Sequence, residues 1–282
     1  MVEYLCLITT PSYAPGAVCL AQSLLLVGSA ATLRVIATTL ETVSALELVM
    51  SQCPIPQPKL VIDYRPIPLP VASEGEPTHG AKGASLSVDA PRRALFTLGA
   101  KPFVLLDADL IAVRNPDLFL QIVPGQESIS CSANFRVKKQ CFGPITGNFN
   151  AGVMVVSSPR GEDGDTLAQL VQNAGEDDTE ELLLNKIFKS RWKELPNGLN
   201  VPKRVLYHAP ERWNQLVASK EMVFVHYMGA KPWINDPIKR VGADWEADRP
   251  EYLALEQVWW KIHRGEIALG EDVTVHLPLG NV

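Results

Sequence analysis

"FVLLDADLIAVRNPDLF", Phe103 to Phe119, opens as a strand made for a sheet interior and then sets two carboxylates, Asp107 and Asp109, around the single residue Ala108. The apolar run Phe103–Leu106 suits a strand covered on both faces, as in parallel sheets. The acids do not suit such a place, because a buried charge is costly unless it is paired. Side chains at i and i+2 of a regular strand point to the same face. At the carboxyl end of a parallel strand, where open α/β sheets bind ligands, both can reach one hard cation such as Mg²⁺ or Mn²⁺. A second reading stays open on spacing alone: Asp is common in turns, and a turn could follow this strand.

The flanking sequence supplies the sheet. "YLCLITT" (4–10), "LRVIATT" (33–39) and "KLVIDY" (59–64) read as strands, separated by helical patterns at "APGAVCLAQSLLLVGSA" (14–30) and "ETVSALELVMSQC" (41–53). In the first helix Val18, Ala21, Leu24 and Leu25 form an apolar stripe. Further on, "APRRALFTLG" (90–99), Thr179–Lys189 and "PEYLALEQVWWKIHRG" (250–265) read as helices, and "GVMVVSS" (152–158) and "MVFVHYM" (222–228) as strands. Alternation of this kind predicts an α/β fold with a central, mostly parallel sheet flanked by helices. The Pro/Gly/Ser-rich segment 66–88, which carries His79 and Lys82, reads as a loop that would either close over a ligand or lie on the surface.

Composition narrows the class. The 282 residues are 46% hydrophobic and 20% charged, enough for a core of ordinary size without staples. A formal net charge of -5 and the absence of a long basic run argue against a nucleic-acid partner. Five cysteines without CxxC spacing fit reduced thiols rather than a disulfide framework or zinc site. "MVEYLCLITTPSY" has no basic n-region, and Ala17–Leu33 is interrupted by Gln22, Ser23 and Ser29. The expectation is a soluble cytoplasmic protein with no signal peptide and no membrane span.

Two chemistries place an Asp-x-Asp pair after such a strand. In haloacid-dehalogenase-like phosphatases the first Asp is a nucleophile, but that motif belongs to the first strand, and here three βα units precede it. In nucleotide-sugar glycosyltransferases the pair holds a divalent metal against a diphosphate. "HYMGAKPW" (226–233) favours the second. His226 would add a nitrogen ligand and favour Mn²⁺ over Mg²⁺. Gly229 lets backbone approach a phosphate, and Lys231 offers it a point charge. For His226 alone a hydrogen-bonded core histidine is the commoner use. In "GNFNAGVMVVSSP", Asn148 and Asn150 stand just before a strand, where amides cap turns or bind sugar hydroxyls.

Taken together, "YLCLITTPSYAPGAVCLAQSL", "FVLLDADLIAVRNPDLF", "FNAGVMVVSSP", "LPNGLNVPKR" and "VHYMGAKPW" resemble glycosyltransferase family 8, the glycogenin-like retaining transferases, in order and spacing. The resemblance implies the GT-A fold as a single domain over 1–282. Residues 1–110 would form the nucleotide-binding half, 111–235 the sugar and acceptor half, and 236–282 a C-terminal helical extension. It implies a retaining hexosyltransferase that uses a UDP-sugar, with glucose or galactose as the moved sugar, Mn²⁺ (or Mg²⁺) as cofactor and an acceptor the residues do not name. Asp107, Asp109 and His226 would ligate the metal. Thr9, Thr10 and Tyr13 would bind uridine, Ala108 the ribose through its backbone, and Gly229 and Lys231 the diphosphate. Asn150 and Asn200 would line the sugar pocket.

The family pattern is broken in two places. Where members carry an Asp-Gln pair that meets the donor sugar, this chain has Glu180 and Glu181. The family's lysine on the helix before the acidic pair is replaced by Arg92 or Arg93, which would contact the diphosphate bidentately. Two other readings therefore remain: a nucleotidyl- or phosphoryl-transfer enzyme on the same metal site, or a catalytically weak UDP-sugar-binding protein. Tyr207 stands seven residues after Asn200, where glycogenin-type members carry a self-glucosylated tyrosine, and reads equally as a core residue. Segment 136–149 would border the acceptor site. Trp233, Trp259 and Trp260 would stack on sugars or fill core. Oligomeric state is open, a homodimer included.

Overall fold

The computed structural model describes residues 4–54, 59–66, 102–120, 129–138, 141–157, 180–188, 192–234 and 250–281. The expected helix at 90–99 and, beyond Pro66, the loop at 66–88 lie outside these residues, and with them Arg92, Arg93, His79 and Lys82. The first strands and helices fall where their periodicity puts them: β1 (Tyr4–Ile8), α1 (Ala14–Leu26), β2 (Leu33–Ala37), α2 (Leu40–Ser51) and β3 (Leu60–Tyr64). Pro15 opens α1 in its first turn, where a missing N–H costs nothing. Thr39 caps α2 by accepting from the Thr42 N–H at 3.2 Å.

Next come β4 (Phe103–Leu106), β5 (Leu110–Ala112), β6 (Ile129–Lys138) and β7 (Cys141–Val156). Then follow α3 (Glu180–Ile187), β8 (Trp192–Glu194), β9 (Val201–Pro202), α4 (Arg204–His208), α5 (Pro210–Ala218), β10 (Phe224–His226) and α6 (Pro250–His263). Seven strands form one sheet in the order β3-β2-β1-β4-β7-β6-β8, and β5-β10-β9 form a second. In the large sheet β3, β2, β1 and β4 run parallel, as do β6 and β8, whereas β7 is antiparallel to both its neighbours. The sheet is thus mostly parallel, with an antiparallel seam on β7.

Period-two alternation along β1 and β4 divides the core. Tyr4, Cys6, Ile8, Val104 and Leu106 join the cluster that receives α1 and α2, while Leu5, Phe103 and Leu105 join the opposite cluster with Leu184 of α3 and Phe188 just after it. Each such side chain contributes about 1.5–3 kcal/mol on burial. The third cluster packs the small sheet against α5 and α6. α1 lies between, so it is buried nearly all round, Gln22 and Ser23 included, and not along a single stripe. Ser23 earns its place by donating to the Leu20 carbonyl and accepting from the Ala112 N–H of β5. No helix among the described residues is long and apolar enough to cross a membrane.

Two expectations change. Asn148 and Asn150 do not precede a strand; they lie within β7, which continues back to Cys141 because β6 pairs with its whole length, with register shifts near Ser132 and Ala133. The 107–109 stretch is not strand but a turn, closed by Leu110 N–H to the Asp107 carbonyl at 3.3 Å.

Candidate functional site

That turn carries the chain from the large sheet into the small one. Asp107 is tied to the first by its N–H, which donates to the Gly152 carbonyl at 2.9 Å next to the Leu106–Val153 pair. Leu110 opens β5 and pairs with His226 at the end of β10, and the Tyr227 N–H donates to the Asp109 carbonyl at 2.9 Å. Two sheets therefore meet at the acidic pair, and strand register alone delivers His226 to it across 117 residues of sequence.

His226 Nε2 lies 3.0 Å from Asp109 Oδ1 and 3.7 Å from Asp107 Oδ2. One ligand atom from each of the three residues fits within a 4.8 Å span, a group able to hold a metal ion. The donor set, two carboxylates and one imidazole nitrogen, suits a divalent cation of the Mn²⁺ or Mg²⁺ type. Asp109 and His226 are almost wholly buried, and Asp107 faces outward. Lys231 places its ammonium on Asp109 Oδ2 and also donates to the Tyr227 carbonyl at 3.1 Å.

The electrostatics follow from this crowding. Burial would raise the Asp109 pKa, but His226 and then Lys231 outweigh it and hold the carboxyl well below its usual range. For His226 burial favours the neutral ring, yet Asp109 and Asp107 overcome both that and Lys231, so its pKa is raised. Without a cation, the two acids therefore favour the protonated His226 ring.

Behind His226 the ring is held by amides. Its Nδ1 is 2.9 Å from Asn200 Oδ1; Asn200 Nδ2 donates to Asn150 Oδ1 at 2.7 Å; Asn150 Nδ2 donates to Glu181 Oε2 at 3.0 Å. Gly152 makes this approach possible, since a Cβ there would lie 2.5 Å from His226 Cε1. Glu181 stands on α3, which Asn185 fastens to β7 by accepting from the Phe149 N–H at 2.7 Å and donating to its carbonyl at 2.9 Å. The side chain of Glu180 lies outside what is described.

In front of the acids is a cavity of about 230 Å³ lined by Leu7, Ile8, Thr9, Tyr13, Asp107, Ala108, Asp109 and Lys231. Tyr13 meets Lys231, 5.9 Å from its ring centre, and Trp233 edge-on at 5.8 Å. Trp233 Nε1 donates to the Ser12 carbonyl at 2.7 Å, which ties the 227–234 loop to the first loop of the chain. Thr10 bonds Ser12 at 3.0 Å beside this cavity rather than lining it. Gly229 takes φ = 81° in the loop leading to Lys231, a conformation glycine adopts freely. Trp259 is fully buried and packs on Trp233, so it fills core. Tyr207 packs against His208 and Tyr252.

Sequence reasoning missed two supports. Lys203 is 1% exposed, donates to the Ala230 carbonyl at 2.7 Å and lies 5.3 Å from the Tyr252 ring centre, so it props the loop bearing Lys231. Its only trace in the sequence is a lysine within the apolar "VPKRVL". Asn185 looks like any polar residue on a surface helix.

The profile of glycosyl transferase family 8 matches residues 95–236. Galactinol synthase 2 of Solanum lycopersicum is 29% identical over 120 residues, a stretch covering 42% of this chain and 33% of that protein. Two solved structures share the fold across 98% of this chain: the glycosyltransferase GlyE of Streptococcus pneumoniae TIGR4 and the galactosyltransferase LgtC, solved with donor and acceptor sugar analogs. GlyE has TM-score 0.60 at 17% identity, with 62% of its chain covered. LgtC has TM-score 0.59 at 14% identity, with 100% of its chain covered. With a profile match over half its length on a GT-A framework, this chain belongs to glycosyltransferase family 8.

Proposed function

We propose that the protein is a retaining hexosyltransferase that moves glucose or galactose from a UDP-sugar to an acceptor, with Asp107, Asp109 and His226 holding Mn²⁺. The observation that carries this reading is the convergence of those three ligands with Lys231, beside a cavity lined by Asp107, Asp109, Lys231, Tyr13 and Thr9. Mn²⁺ is favoured over Mg²⁺ by the imidazole nitrogen. A cation bound there supplies Lewis-acid stabilisation of the charge that develops on a departing UDP.

The chain's own residues do the rest. Tyr13 offers a ring face to the uracil, with Thr9 and Thr10 beside it, and the Ala108 backbone meets the ribose. Lys231, released from Asp109, becomes a fixed positive charge for the diphosphate, and the Gly229 turn allows backbone to come close to it. Arg92 and Arg93 are proposed to add bidentate contacts to the same group. On the far side of His226, Asn150 and Glu181 are tied together and hold hydroxyls of the sugar, with Glu180 next to them. Attack from the face that UDP leaves retains configuration and needs no protein nucleophile.

The test is UDP release from UDP-glucose, UDP-galactose, UDP-xylose and UDP-N-acetylglucosamine, with Mn²⁺ and with chelator. Release from one of the first two, lost with chelator, supports the reading. No release or binding of any donor defeats it.

A further inference from the structure

We propose that Asn200 is a positioning residue that keeps a proton on His226 Nδ1, so that Nε2 is the nitrogen offered to a cation beside Asp107 and Asp109. The inference rests on the metal-site reading above and assigns Asn200 to the ligand rather than to the donor sugar.

The hydrogen bonds leave no choice of direction. At one end the Gly152 backbone N–H, which can only donate, points at Asn150 Oδ1 at 3.0 Å. The Asn150 atom there must be its oxygen, and its NH₂ then meets Glu181 Oε2, which as a carboxylate can only accept. The Asn200 atom that faces Asn150 Oδ1 must in turn be its NH₂ group. That leaves Asn200 Oδ1 toward His226, and an amide oxygen can only accept. Nδ1 therefore carries a proton, and Nε2, which faces the Asp109 carboxylate at 3.0 Å, is the nitrogen whose proton a cation displaces. Flipping either amide sets oxygen against oxygen within the chain.

Burial makes the arrangement binding. Asn200 is 2% exposed, His226 3% and Asn150 7%, so water is poorly placed to replace a lost partner. Asn200 is absent from the lining of the 230 Å³ cavity, and its amide engages Asn150 and His226. Partners that orient a ligating imidazole are worth about 10–100-fold in metal affinity.

Two measurements decide it. In ¹⁵N-labelled protein with excess Mg²⁺, which is diamagnetic, an imidazole ¹⁵N–¹H correlation reads the His226 tautomer, with His226→Gln identifying the signal. Protonation at Nδ1 is expected, and protonation at Nε2 overturns the proposal. Second, electron paramagnetic resonance (EPR) of aqueous Mn²⁺ titrated into protein should show affinity weakened about 10–100-fold in Asn200→Leu, with urea unfolding verifying that the variant is folded. Undiminished affinity in a folded variant overturns the proposal. If Asn200→Leu does not fold, the wild-type tautomer decides alone. A wild-type protein that shows the Nδ1–H tautomer yet binds no Mn²⁺ defeats the metal reading, and with it the purpose assigned to Asn200.

Discussion

The two sides of the His226 ring are built from different chemistry. On the Nε2 side stand only charges: Asp109 at 3.0 Å, Asp107 at 3.7 Å, and Lys231 behind Asp109. On the Nδ1 side stand neutral amides, Asn200 and Asn150, and a carboxylate enters only at the far end as Glu181. Charges lower the cost of receiving a cation but move with whatever binds. Amides in a closed, buried chain hold geometry and change little with pH or salt. The site thus keeps its binding function and its orienting function on opposite faces of one imidazole.

Breaking the charged side should produce the largest effect. Asp107→Asn removes a ligand from the outward edge of the site while leaving the buried pair. Loss of a few kcal/mol of leaving-group stabilisation corresponds to about 10²–10³-fold slower UDP release, read at saturating Mn²⁺. Lys231→Ala sharpens the comparison because its two effects have opposite signs. Donor turnover should fall about 10²-fold with the loss of a positive contact. Affinity for Mn²⁺ alone should rise, by up to about fivefold, because the ammonium no longer competes for Asp109 Oδ2. Parallel losses in both would show that Lys231 supports the site instead of competing within it.

Gly152→Ala tests the amide side. A methyl 2.5 Å from His226 Cε1 must displace the ring or the strand, at about 1–3 kcal/mol measured by urea unfolding, together with weaker Mn²⁺ binding. The pH dependence of the metal-free protein should carry the mark of the charged side alone. The folded-state pKa of His226 is raised above its ordinary 6.5. Its proton therefore contributes stability that is full below 6.5 and is lost as pH rises through the raised value. His226→Gln should flatten that decline in melting temperature. Mn²⁺ must displace the same proton, so its affinity should fall by up to tenfold per pH unit on the acid side. Smallest is Trp233→Phe, which keeps the packing on Tyr13 and Trp259 but loses the bond to the Ser12 carbonyl. About 1 kcal/mol is expected, as a few-fold higher KM for the donor at unchanged kcat.

The difference between the two sides also marks what was legible in the sequence. Asp107, Asp109, His226 and Lys231 stand out as polar residues at the ends of apolar runs, although a turn or a core histidine would account for the acids or the imidazole taken singly. The strands and helices through Tyr64 were equally legible, since each rests on local periodicity. The amide side was not. Asn150 reads as a turn residue until β6 is known to pair along the whole of β7, and that pairing is interrupted by register shifts that blur any alternation. Asn200 reads as sugar-lining from family resemblance, while its partners lie 26 and 50 residues away in sequence. Gln22 and Ser23 look like a solvent face of α1 until the second sheet is laid over them. Lys203 gives no sign of burial, because what accepts its ammonium hydrogen is a backbone carbonyl.

The central claim is that Asp107, Asp109 and His226 hold a cation that receives a nucleotide diphosphate. Electron–nuclear double resonance of Mn²⁺ bound to ¹⁵N-histidine-labelled protein, recorded with UDP, tests it in one spectrum. The account predicts a directly coordinated ¹⁵N signal that disappears in His226→Gln, together with ³¹P coupling from UDP. Bound Mn²⁺ with neither coupling, or with a ¹⁵N signal untouched by His226→Gln, would contradict it.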